Sequence, residues 1–189
     1  STATGGIYVG ATVPAGITFG APNVQPAPPA GFATVVDGAS VGLSAKGDIA
    51  IMNSSRSIAV SKSAITTSGN IDLEADGTGS SIVAAGGDLT LSGGRVSLVA
   101  KDAVGTSTSP ILVSGGGAVT LAGSTSTGGW YVSLAGGATV NVGSATPPPF
   151  FAEGSLAGIS TGRDMALQNQ DGTIVLSNSY RQSSAVRRE

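Results

Sequence analysis

Three carboxylates stand at alternate positions in Ile71-Asp72-Leu73-Glu74-Ala75-Asp76-Gly77. Successive side chains on a strand face opposite ways, so Asp72, Glu74 and Asp76 share one face and the aliphatic residues the other. Two chemistries use such a pattern. Alternating oxygen ligands followed by a glycine bend resemble a calcium loop. The closing glutamate of that loop is missing, because the position holds Val83. Paired carboxylates also cleave glycosides, one as acid and the other as base or nucleophile. The acids here are sparse, however, and Asp48 and Asp88 directly follow turn glycines, where a corner role is simpler. Lys101 and Asp102 form the one adjacent lysine–acid pair, and neighbours on a strand point apart. The trio therefore reads as a solvated strand face. The sequence assigns no catalytic residue, no metal and no cofactor.

Aromatic residues offer a different chemistry, since their rings stack on sugars or anchor protein partners. Trp130 and Tyr131 follow Gly128-Gly129, and Phe150 and Phe151 follow three prolines. These four are the candidate contact residues, and the competing reading has them covering a thin core. Asn53-Ser54-Ser55 is the single acceptor sequon for Asn-linked sugar. Arg181, Arg187 and Arg188 make a small basic tail that reads as a solvated end.

Composition narrows the field further. The 189 residues include 30 glycines, no cysteine and no histidine, which excludes disulfides, Cys/His zinc sites and Ser-His-Asp or Cys-His catalysis. A net charge of −2 gives no basic surface for nucleic acid. Apolar runs such as Phe32 to Val36 are too short to span a bilayer. Ser1 opens the chain with no basic-then-apolar leader after it, as expected of a processed protein or a fragment.

The elements that must position these side chains are short strands. One phrase recurs: glycine, a polar or small residue, an aliphatic, a small or polar residue, an aliphatic. It begins at Gly47, Gly69, Gly87, Gly117 and Gly172. Period-two alternation after a turn glycine signals a strand with one buried face. Spacings of 22, 18 and 30 residues between the first four fall in the range of repeat architectures. Between the phrases lie further strand candidates: Val96–Val99, Ile111–Val113, Tyr131–Leu134 and Val140–Val142. Three strands per circuit predict an all-β parallel β-helix, a β-solenoid with aliphatic columns inside; a β-sandwich is the alternative. The expected organisation is an irregular opening over 1–45 with short strands and a proline-rich stretch, solenoid repeats over 46–178 with a proline-rich insertion near 145–152, and a polar tail over 179–189.

The run Ala85-Gly86-Gly87-Asp88-Leu89-Thr90-Leu91-Ser92, and the segment Lys101 to Val113 with its Asp-Ala-Val-Gly-Thr and Pro-Ile-Leu-Val text, resemble the repeats of filamentous-haemagglutinin-like exoproteins of two-partner secretion. The resemblance covers about residues 40–145. It implies a right-handed parallel β-helix, export across the bacterial outer membrane and a role in adhesion. The expected function is a noncatalytic structural or adhesive element, secreted or on the bacterial surface. Loops at Pro22–Ala30, Gly128–Tyr131 and Pro147–Phe151 would present contacts to a host or neighbouring-cell glycan or protein. Two alternatives stand beside it: a self-assembling fibre subunit joined end to end or by strand addition, and a carbohydrate-active β-helix enzyme.

Overall fold

The computed structural model describes residues 5–11, 17–19, 42–61, 63–92, 94–177 and 181–182. The loop expected at Pro22–Ala30 and nearly all of the 179–189 tail lie outside them. The described chain is all-β and winds as a parallel β-solenoid.

The first coil carries β1 (Ile7–Ala11), β2 (Ile17–Phe19) and β3 (Gly42–Ala45). The second carries β4 (Ile49–Asn53), β5 (Ile58–Val60) and β6 (Ser63–Thr66), and the third β7 (Ile71–Ala75), β8 (Ile82–Ala84) and β9 (Asp88–Leu91). Two longer strands build each of the next coils: β10 (Gly94–Ala100) with β11 (Ile111–Gly115), then β12 (Ala118–Thr125) with β13 (Trp130–Ala135). The chain continues through β14 (Thr139–Val142), β15 (Ile159–Thr161), β16 (Met165–Asn169), β17 (Thr173–Leu176) and β18 (Arg181–Gln182). All strand pairings are parallel. The first sheet stacks β1-β4-β7-β10-β12-β14-β17, the second β3-β6-β9-β11-β13-β16, and the third β2-β5-β8. Single bridges at Val104 and Trp130 extend the third sheet. β1, β2 and β3, from the segment read as an irregular opening, pair with β4, β5 and β6 and so form the first coil.

Coil length follows from the register. Ile49, Ile71, Val96, Leu121 and Val142 stack on one another at intervals of 22, 25, 25 and 21 residues. The uneven spacing of the sequence phrase has a simple cause: Gly87 leads into the second sheet, whereas Gly47, Gly69, Gly117 and Gly172 lead into the first. All of these column residues are buried and belong to one continuous core. Each coil alone could not bury its inward face; stacking at about 4.8 Å does so.

Corners are set by glycines and by side-chain ladders. A Cβ at Gly69 would collide with the backbone of Gly47 in the coil below, so only glycine allows that approach. Gly94 holds φ at 104°, a region L side chains avoid. Beside them, Asp48 Oδ1 accepts the Asn70 backbone N–H at 2.8 Å, and Asn70 Oδ1 accepts the Arg95 N–H at 3.0 Å. The polar residue after the turn glycine thus satisfies the next coil's backbone.

Candidate functional site

The strand pattern of β7 places Asp72 and Glu74 on the outer face of the first sheet, as its alternation requires. The expectation that this face is solvated is corrected. Asp72 is 1% exposed and Glu74 0%. For Glu74 the cause lies 78 residues away in sequence. β14 and β15 are two halves of one rung, both paired to β12, and residues 143–158 leave between them. An antiparallel bridge closes the base of this insertion, with the Ala145 N–H on the Leu156 carbonyl at 2.9 Å and the return bond at 2.7 Å. The proline-rich tip then runs back across the sheet as a strap. Ala145 and Leu156 pack on Val99 and Ala122, which makes a second, outer core. Further along, Ala152 and Glu153 donate their backbone N–H groups to the two oxygens of Glu74, each at 3.0 Å. At the tip, Phe150 meets Tyr8 of β1 edge-on with ring centroids 6.5 Å apart.

The three acids of the trio go to three different partners. Arg95 holds Asp72 through Nε at 3.1 Å and Nη2 at 2.8 Å, and Ser97 Oγ adds a bond at 2.7 Å. Glu74 anchors the strap. Asp76 pairs with Lys101 at 2.7 Å. Asp102, read as a lysine neighbour, takes hydroxyl donors from Thr127 at 3.0 Å and Ser81 at 3.4 Å. Asp88 accepts from Ser63 and from Thr90.

Electrostatics separate Glu74 from Asp88. Burial pushes the Glu74 carboxyl above its ordinary value; the two strap N–H groups pull against this, and the Asp76 and Glu153 carboxylates add to it. Burial also acts upward on Asp88, but hydrogen bonds from Ser63, Thr90 and Ser114 outweigh it and hold that carboxyl below its ordinary value. The Lys101 ammonium is raised, chiefly by its hydrogen bond to Asp76.

The aromatic candidates fall into two groups. Trp130 is fully buried in the core. Its indole lies against Gly123, where a Cβ would clash with Nε1, so the ring fills volume that the glycine leaves in its column. Tyr131, its neighbour, points outward and is half-buried. Phe151 is 7% exposed and packs edge-on against Phe150, which is 39% exposed. Tyr8, 57% exposed, joins this pair although the sequence reading did not single it out. No local signal links Tyr8 to Phe150; the strap brings them together. Asn53 is fully buried and its Oδ1 caps the Ser55 and Arg56 N–H groups, so the sequon sits inside a turn.

No family model, no curated protein and no solved structure matches the chain.

Proposed function

We propose that the chain is a noncatalytic structural and adhesive element, secreted or carried on a bacterial surface, in which a stiff β-solenoid presents strap-borne contacts. A fold of this kind hosts many activities, so the reading rests on the site. The observation that carries it is the use of the outer-face acids. Asp48, Asp72, Glu74, Asp76, Asp88 and Asp102 each bond to groups of the protein itself. A carbohydrate-active enzyme needs an acid pair open to substrate; here the adjacent pair is buried, Asp72 against Arg95 and Ser97 and Glu74 under the strap. The exposed surface above it offers the Tyr8 and Phe150 rings instead, suited to stacking on a sugar or a protein side chain. The resemblance to filamentous-haemagglutinin-like repeats supports the same reading.

The test compares the wild-type chain with Phe150→Ser and Tyr8→Ser in binding to immobilised glycans and to whole cells. The expected result is binding that both substitutions weaken, with no turnover of uronate-containing polysaccharide by any of the three. Depolymerisation by the wild type would overturn the noncatalytic reading; binding indifferent to both substitutions would overturn the assignment of the patch.

A further inference from the structure

Glu74 is a fully buried ionisable group, and among the described residues no cation pairs with it. Its neighbours on the adjacent rungs are Met52 of β4 and Val99 of β10, both apolar. The strap closes over it and supplies two backbone N–H groups, from Ala152 and Glu153. The charged groups on the packed elements are already committed or are themselves acidic. On β7, Asp72 is held by Arg95 of β10, and Asp76 takes Lys101, just past β10. β4 brings no charged residue. The strap brings Glu153. Closing the strap therefore gathers Glu74, Asp76 and Glu153 around a single ammonium. A charge buried in such a place is costly unless paired, and the usual escape is to take up a proton.

We propose that Glu74 is the proton-operated latch of the strap: the insertion lies closed over the first sheet while Glu74 is protonated and lifts when Glu74 ionises. The protonated carboxyl still offers each N–H an oxygen and leaves no charge beneath the strap. Ionisation strengthens those two bonds, but it sets a charge between Met52 and Val99 and beside two carboxylates. Burial outweighs the two N–H groups and holds the carboxyl above its ordinary value, with Asp76 and Glu153 adding to the rise. Opening removes the burial and Glu153 from that balance, so closing takes up a proton and opening releases it. Beyond the bridge between Ala145 and Leu156, the strap meets the sheet through the bonds to Glu74 and through its aromatic tip, so the base serves as the hinge. Phe150 travels with the strap and Tyr8 stays on β1, so the contact patch is assembled only in the closed state. That consequence rests on the adhesive reading; the latch itself does not.

Hydrogen exchange of the full chain, followed by NMR from acid to mildly alkaline solution and corrected for the intrinsic rate at each pH, tests the latch. The protection of the Ala152 and Glu153 amides should fall by about tenfold across that range, while the amides of β13 keep theirs. The carboxyl-carbon shift of Glu74 should move over the same interval. Glu74→Gln, neutral throughout, should hold the strap amides at one level of protection at every pH, and Glu153→Gln should move the release to higher pH. Strap protection that is flat or rises with pH in the wild type overturns the proposal. So does Glu74 titration without a change at the strap, or a Glu74→Gln variant that keeps the wild-type slope. Binding to immobilised glycans, measured over the same range, should weaken as the strap opens. A strap that lifts as described in a chain that binds no glycan or cell at any pH supports the latch and overturns the adhesive reading alone.

Discussion

The outer faces of the first and second sheets carry similar text and have different fates. β7 reads Ile-Asp-Leu-Glu-Ala and β9 reads Asp-Leu-Thr-Leu, each an alternation of aliphatic and polar residues. On the second sheet the outward Asp88 and Thr90 stay partly exposed and bond to each other and to the Ser63 hydroxyl one rung away. On the first sheet the outward Asp72 and Glu74 are covered. Asp72 lies under its neighbours Arg95 and Ser97, and Glu74 is covered because the rung of β14 and β15 is interrupted and the second sheet is not. Strand alternation thus decides which way a side chain points, while an insertion elsewhere decides whether that direction leads to water.

The largest contrast is between inside and outside. Leu121→Asp places an unpaired charge in a column and should cost more than about 4 kcal/mol, enough to abolish cooperative unfolding. Leu112→Asp, on the open outer face of the second sheet, should stay within about 0.5 kcal/mol. Urea denaturation followed by far-UV circular dichroism measures both, and a costly Leu112→Asp would show that face to be covered.

The next test sets the two outer faces against each other. Glu74→Ala leaves the Ala152 and Glu153 N–H groups without their acceptor beneath the strap, a loss of about 2–4 kcal/mol. Asp88→Ala, where water can reach the freed hydroxyls, should cost about 1 kcal/mol. Equal losses in the same denaturation experiment would remove the distinction between the faces.

Their pH dependences should oppose each other. Glu74 is raised in the folded state, so its contribution is fully present below the unfolded value and is lost as pH rises through the folded value. Asp88 is lowered, so its contribution is present above the unfolded value and is lost as pH falls through the folded one. Relative to wild type, Glu74→Gln should therefore gain stability as pH climbs from acid to neutral. Asp88→Asn should be less stable at neutral pH and converge with wild type in acid. Urea midpoints across that range check the two slopes, and slopes of the same sign would contradict the assignment.

The smallest effects belong to the partly exposed rim. Asp76→Asn breaks the pair with Lys101, whose side chain is 44% exposed, and should cost at most about 1 kcal/mol. Adding calcium or EDTA should leave Tm unchanged, because the trio is divided among Arg95, the strap and Lys101. A calcium-dependent rise lost in Asp72→Ala would show that the acids can be recruited from those partners.

Much of the coil was legible in advance because its determinants are local. Gly47-Asp48-Ile49-Ala50-Ile51 states a corner and an alternating strand within five residues, and β4 begins at Ile49. Gly69 and Gly117 announce β7 and β12 in the same way. The strand β6, Ser-Ala-Ile-Thr, was not legible, because its inward residues are an alanine and a threonine and the packing is completed by Leu89 and Leu91 of the next coil. At the site, the sequence found Phe150 and Phe151 but not Tyr8, and it read Asp72 and Glu74 as solvated.

Sequence by itself determined the strand period, the glycine corners and the inward aliphatic columns, since hydrogen-bonded rungs and steric corners depend on neighbours a few residues apart. Tertiary structure alone decided that a rung would be split, that its insertion would lie back over the first sheet, and that Glu74 would anchor it. Those outcomes depend on which residues of separate coils come to lie within hydrogen-bond reach. Register between coils sets that distance, and no stretch of sequence near Glu74 carries it.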